Sequence, residues 1–362
     1  MKFRLVDLLQ CPCGRSDLIL QATAVETVPF AHTLCEVKCS QTCAFKNCSV
    51  AQARVTPADC SECYKREITE GTLSCRSCGQ KWPILGGIPR FLSGNMPEDI
   101  KKTQDTFSHE WKMFRFGERN WGQDMDYRTR LFKLGMAADP KDIKGKLIFD
   151  AGCGSGALTI EMSRTLRMEV VGMDLAFGIE NAYKQNDSPF VYFVQGSVLE
   201  PPVRKNAFDY LSCCGVLVAV PDARKGFKAI IKALKPGGRC FIWVYHPISP
   251  VYFPKTWRKM AFYNWIRVHI TSRLPIRLQY FVYLSLIPPF LVKQLAERLL
   301  GRKTFRMTWR EKMQSFFDFL SPVYEHRFEP HEVVEWYQEE GFSNVQIAYR
   351  EIEGFAVRGD VV

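Results

Sequence analysis

The chain has 362 residues, enough for one large domain and a smaller one with a sizeable core. Its 46% hydrophobic and 24% charged residues describe a globular protein and exclude a disordered or fibrous one. The net charge of +11 sits in one place: Lys255 to Lys312 holds thirteen Lys or Arg against only Glu297 and Glu311, leaving the rest close to neutral. Met1-Lys2-Phe3-Arg4 leads into Asp7 and Cys11 rather than a continuous apolar run, so no secretory signal is expected. The apolar run Leu278 to Val292 is shorter than the ~20 residues of a spanning helix and is broken by Pro288-Pro289. A cytoplasmic location is expected, with peripheral membrane contact an open addition.

Ten of the fourteen cysteines fall within the first 78 residues. Such density in a cytosolic chain points to metal rather than disulfides. Cys75-Arg76-Ser77-Cys78 can present two sulfurs to one tetrahedral ion, and Cys60-Ser61-Glu62-Cys63 repeats the spacing. Cys11-Pro12-Cys13 is a knuckle one residue short, which leaves open whether both of its sulfurs are ligands. Leu8-Leu9-Gln10-Cys11-Pro12-Cys13, Leu73-Ser74-Cys75-Arg76-Ser77-Cys78 and Trp82-Pro83-Ile84-Leu85-Gly86-Gly87-Ile88-Pro89 together resemble a zinc-ribbon family. That family includes the small activator subunit of tRNA and protein methyltransferases and also occurs fused ahead of methyltransferase domains. The likeness covers residues 1–95, interrupted by an insertion between Asp17 and Gly71. The insertion offers a second site in which Cys60 and Cys63 join two of Cys35, Cys39, Cys43 and Cys48. Cys39 and Cys43 are the pair named here, without the spacing deciding it. One or two zinc ions are expected, an iron–sulfur cluster being the lesser reading. A closed four-cysteine site holds a small domain together and does no chemistry.

Residues 96–145 read as a linker and helices. Phe107, Trp111 and Phe114 mark an amphipathic helix over Ile100 to Phe116. Phe107-Ser108-His109-Glu110-Trp111 and Asn120-Trp121-Gly122 resemble the segment that packs over the cofactor in a group of bacterial methyltransferases.

Residues 146–246 hold the core. Lys146 to Phe149 is a buried strand running into Asp150, then Gly152-x-Gly154-x-Gly156 and a helix-type pattern from Ala157. Strand, glycine turn and helix N-terminus open a doubly wound nucleotide-binding sheet. A carboxylate at Asp150 would repel a dinucleotide pyrophosphate but suits the ammonium group of S-adenosylmethionine. Glu169 to Met173 is the second strand, and Asp174 stands where a carboxylate accepts ribose hydroxyls. Phe190 to Val194 is the third, followed by Ser197 and Val198. Phe208 to Ser212 is the fourth, running into Cys213-Cys214. Leu234-Lys235-Pro236-Gly237-Gly238-Arg239 introduces the fifth, Arg239 to Tyr245. This succession resembles the class-I S-adenosylmethionine-dependent methyltransferases, including the quinone-biosynthesis enzymes. The resemblance implies a Rossmann-like seven-stranded α/β sheet with S-adenosyl-L-methionine held by Asp150, Gly152, Gly154, Gly156 and Asp174. Ser197 and Val198 would flank adenine, Ser197 replacing the family's usual aspartate, and Cys213 would line the site.

Residues 247–319 read as a basic helical lid, in which Trp257, Phe262, Trp265 and Ile266 alternate with Arg258, Lys259 and Arg267. It could cap a substrate pocket, rest on anionic lipid, or contact RNA. Residues 320–362 supply the last helix, Glu332 to Glu340, and an antiparallel hairpin of Val345 to Tyr349 with Ile352 to Val357. The expected activity is methyl transfer to a small-molecule or lipid-linked acceptor. Its rivals are rRNA or tRNA base methylation and a non-catalytic zinc-ribbon module that recruits a protein partner. If a general base is used, His246, His326 and His109 are the candidates.

Overall fold

The computed structural model of the chain describes residues 1–362 apart from 33, 35, 53, 93, 114–117, 120–121, 138 and 302–306. The readings placed on Cys35, Phe114, Asn120 and Trp121 lie outside the described residues.

The amino-terminal domain starts with the short helix Arg4–Leu8 and builds a sheet from Leu18–Thr27, Arg66–Cys75, Lys81–Leu85 and Ile88–Pro89 in spatial order. Leu18 pairs with Cys75 and Thr27 with Arg66, so both flanks of the expected insertion are ladder strands. The true excursion is the stretch between Val28 and Lys65, closed by a Val28 N–H to Lys65 carbonyl bond of 2.8 Å. It carries the small hairpin Thr42–Cys43/Cys48–Ser49 and the helix Pro57–Tyr64, started by a reciprocal Thr56–Asp59 capping box.

The core sheet has seven strands, numbered in chain order: β1 Leu147–Ala151, β2 Glu169–Asp174, β3 Val191–Gln195, β4 Phe208–Cys214, β5 Leu234–Tyr245, β6 Ser343–Arg350 and β7 Gly354–Asp360. Their spatial order is 3-2-1-4-5-7-6. β1 to β5 are parallel, while β7 runs antiparallel to β5 and β6 antiparallel to β7. All five residues of β1 are buried, as a parallel strand covered on both faces requires. β5 begins at Leu234 rather than Arg239, because Leu234 already pairs with Phe208 before Lys235–Gly238 shifts the register. The closing hairpin also differs from the sequence expectation: its second strand starts at Gly354.

The ribbon docks on the open β3 edge of this sheet. Arg90 bridges Gln195 in parallel, the Phe91 N–H donates to the Gln195 carbonyl at 2.7 Å, and Leu9 bridges Val203. An edge whose backbone groups would otherwise be unpaired is thereby covered. Behind it, Arg4 Nε lies 3.0 Å from Glu169 Oε1, the Tyr192 hydroxyl donates to the same oxygen at 2.8 Å, and the Tyr64 and Tyr192 hydroxyls meet at 2.6 Å.

Between β5 and the last helix, Pro330–Glu339, lie the helices Trp257–His269, Ile276–Ser285, Ile287–Leu299 and Trp309–Leu320. They share a small core of Tyr283, Ile287, Met313, Phe317 and Leu320. Trp309–Leu320 packs against the helix Glu98–Met113, which roofs the carboxyl ends of β1 and β2.

Candidate cofactor cleft and metal centre

The glycine turn has the backbone its residues require. Gly152, Gly154 and Gly156 sit at φ of 89°, 55° and 70°, a left-handed region that L side chains rarely adopt. Space gives a second reason. A β-carbon on Gly152 would come within 2.1 Å of Val216, and one on Gly154 within 2.6 Å of the Trp111 ring. Trp111 therefore lies directly on the turn, as the likeness of its segment implied.

Asp174 ties the first two strands together. One oxygen accepts the Gly154 N–H and the other the Ala176 N–H, both at 2.8 Å. Burial raises its pKa to about 6 against these two bonds, with Asp150 adding to the rise. Asp150 accepts the Thr159 hydroxyl at 2.7 Å and the Ser212 hydroxyl at 2.8 Å, which orients it between β1, β4 and the following helix. Burial pushes its pKa up too, while the two hydroxyls and Arg128 oppose the rise. Each carboxylate oxygen keeps a lone pair beyond these bonds. The glycine cradle and the two acids suit a small cationic ligand with ribose hydroxyls.

Ser197 and Val198 follow β3, where the Ser197 hydroxyl oxygen accepts the Leu199 N–H at 3.2 Å. Cys213 is a correction. Side chains alternate along a strand, and here Cys213 turns into the core at 1% exposure whereas Cys214 is exposed. Burial of its surroundings pushes the Cys214 thiol up, with Asp150 adding to the rise and Arg128 opposing it.

The three histidines are not brought together. His246 is stacked on Tyr252 with ring centroids 4.1 Å apart and is 3% exposed, and burial lowers its pKa. The His326 ring contacts the Val220 carbonyl at 2.8 Å, and His109 Nδ1 contacts the Asp105 carbonyl of its own helix at 3.0 Å. The acids beside them were missed. Glu110 is fully buried, with one oxygen unpartnered and the other 3.5 Å from Gln314 Nε2. Burial holds its pKa well above the usual range, and Asp318 and Asp174 reinforce the rise. Asp318, 3.5 Å from the Tyr245 hydroxyl, is raised to about 7 by burial and by Glu325 and Glu353, against Arg327.

The opposite, amino-terminal end of the strands has a cleft of about 490 Å³ lined by Lys146, Asp209, Lys235 and Arg239. Its charges are neutralised locally: Lys235 lies 2.8 Å from Asp209, and Arg239 pairs with Asp360 at 2.6 Å. It is not the cofactor cleft, because the glycine turn and both strand-end acids lie at the other end.

The metal centre resolves the shortened knuckle. The sulfurs of Cys11, Cys13, Cys75 and Cys78 all lie within 4.8 Å of one another, with Cys11–Cys78 and Cys13–Cys75 each at 3.6 Å. A tetrahedral zinc with bonds of about 2.3 Å sets sulfur–sulfur edges of about 3.8 Å, so the four donors fit this ion. Cys75 is drawn down to about 6: burial opposes this, but the Ser16 hydroxyl and the Cys78 and Ser77 N–H groups outweigh it. Cys39, Cys43, Cys60 and Cys63 are buried in the excursion. Among the described residues, only the Cys11 set closes to metal-binding distances.

Strand order, glycine turn and strand-end acids define a Rossmann-like α/β fold of the class-I methyltransferase type, joined to a four-cysteine ribbon. Residues 149–242 match the family described as methyltransferase domain, and residues 2–87 the family described as Trm112p-like protein. The chain thus carries one domain of each kind. It is 30% identical over 118 residues to demethylmenaquinone methyltransferase of Lactococcus lactis subsp. lactis, covering 31% of this chain and 47% of that protein. Against ubiquinone biosynthesis O-methyltransferase of Cronobacter sakazakii it is 29% identical, covering 32% and 49%. The chain therefore spans about half the length of these curated relatives. Magnesium protoporphyrin IX methyltransferase from Synechocystis, solved with S-adenosylhomocysteine, is 12% identical at a TM-score of 0.44, covering 73% of this chain and all of that one.

Proposed function

We propose that the chain is an S-adenosylmethionine-dependent methyltransferase acting on a small or lipid-linked acceptor, with its own ribbon serving as a built-in scaffold. One observation carries this: Asp174, at the end of β2, accepts the N–H of Gly154 from the turn that ends β1. That bond fixes a ribose-binding carboxylate against the glycine turn. Bound S-adenosylmethionine supplies an electrophilic sulfonium methyl. The chain's residues supply position: Asp150 and the glycine turn face the amino-acid end, Asp174 the ribose, and Ser197 and Val198 the adenine.

Trp111 and the roof helix exclude water from above. Holding the reactants in line accounts for much of the rate in such a site. Asp318 takes the acceptor's proton where that proton must leave. The names of the two relatives point to quinone precursors as the acceptor class.

Calorimetry with S-adenosylmethionine tests the reading. Asp174→Ala should weaken binding by about 10- to 100-fold, about 1.4–2.7 kcal/mol. Absence of binding by the unaltered chain, or equal binding by the variant, would sink it.

A further inference from the structure

The lid has two apolar faces, and only one is covered. Its inner face buries Tyr283, Ile287, Met313, Phe317 and Leu320. Its outer face leaves Phe262 58%, Trp265 52%, Phe281 65%, Val292 67%, Leu295 55% and Leu299 79% exposed. An apolar surface of this kind normally meets a partner, since single-domain proteins rarely leave one open to water. The same helices carry exposed basic side chains, among them Arg258, Arg277 and Arg298. The only acids between Lys255 and Lys312 are Glu297 and Glu311, and Glu311 is buried.

We infer that the outer face of the lid seats on an anionic lipid surface, with the helices lying in the plane of the interface. Charge complementarity and the kind of apolar side chain select this occupant. Aliphatic Val292, Leu295 and Leu299 have no stacking use for RNA bases, but they insert between acyl chains while Arg277 and Arg298 meet phosphates. Aromatic Trp265 and Phe281 suit the boundary between headgroup and chain. No described helix is long and apolar enough to cross a membrane, so the contact is interfacial. This inference stands apart from the proposed chemistry, because it requires neither cofactor nor acceptor.

Co-sedimentation of the full chain with phosphatidylcholine vesicles, with and without about one-third phosphatidylglycerol, tests it. The chain should bind the anionic vesicles at least about tenfold better, and high salt should weaken that binding. Phe281→Glu with Leu299→Glu should cut binding about tenfold or more, with melting temperature and calorimetric S-adenosylmethionine binding unchanged. If that pair fails to fold, Arg277→Glu with Arg298→Glu decides, and should reduce binding to anionic vesicles alone. No vesicle binding, or equal binding by the folded variants, would overturn the inference. So would a gel shift of tRNA, or a dimer dissolved by Phe281→Glu with Leu299→Glu, seen without vesicle binding.

Discussion

In the ribbon strand Leu18–Thr27 only Leu18 is buried among ten residues, whereas all five residues of β1 are buried in the core sheet. The sheet gains from apolar burial on both faces, at about 25 cal/mol per Å². A strand with one buried residue gains little from that source and needs other ties. The ribbon buries Leu5, Leu9, Ile68 and Leu73 in one cluster with the core sheet, and adds two ties: four sulfurs in tetrahedral reach, and a charged network reaching into the core through Arg4. Arg4 meets Asp7 as well as Glu169, and Asp7 accepts the N–H groups of Ser40, Gln41 and Thr42 at 2.8, 3.0 and 2.7 Å. One short helix thus links the metal knuckle, the cysteine-rich excursion and the sheet edge. Both domains share apolar burial, and the ribbon adds sulfur and charge to it.

Removing the metal should break the comparison most severely. Structural zinc contributes on the order of 10 kcal/mol to small domains of this type. Cys75→Ser with Cys78→Ser should cost the chain one equivalent of zinc and strip hydrogen-exchange protection from residues 1–91, while β1 to β5 stay protected. Full metal content and unchanged exchange in that variant would refute the assignment. Elemental analysis of Cys60→Ser with Cys63→Ser addresses the excursion separately. Among the described residues only the Cys11 set closes to metal-binding distances, so that variant should keep the zinc of this set.

The next largest effect should come from Arg4→Ala, which leaves Glu169 and Asp7 buried without their cation. Burial pushes the Arg4 guanidinium down, but Glu169 and its other acidic neighbours outweigh this and hold it firmly charged. Breaking such a pair from one side costs about 3–5 kcal/mol. Urea denaturation should show that loss. A cost under about 1 kcal/mol would mean the Arg4 network does not hold the two domains together.

Local spacing makes the core legible in the sequence. The glycine turn, Asp150 and Asp174 mark strand ends that a parallel sheet must place on a shared edge, while the Lys-Pro-Gly-Gly phrase marks the start of β5 at the opposite end. Period-2 alternation should also have separated Cys213 from Cys214, since only one of two neighbours on a strand can face the cleft. What stayed hidden is assembled by tertiary contact. Glu110 and Asp318 lie 208 positions apart and meet only because the lid folds back over the roof helix. Histidine attracts attention for its unperturbed pKa, whereas these acids become candidates only through burial, which sequence does not display. The ribbon's docking on β3 is likewise invisible there, because backbone edge pairing leaves no residue signature.

The smallest effect is also the most discriminating, because acids in the two domains pull in opposite directions with pH. Asp7 in the ribbon is held below its ordinary value of 3.8: burial alone would raise it, but Arg4 and the three N–H groups prevail. Its contribution is present above that value and is lost as pH falls through the folded pKa. Asp318, raised to about 7, and Asp174, raised to about 6, do the reverse. Folding makes them bind protons more tightly, so stability falls as pH rises from about 4 to about 7 and the full penalty stands above that. Asp318→Asn should therefore stabilise the free protein at pH 8 by about 1–2 kcal/mol, a melting-temperature gain of roughly 2–8 °C, and change little at pH 4.5. An equal shift at both pH values would show that the Asp318 carboxyl is not held away from water.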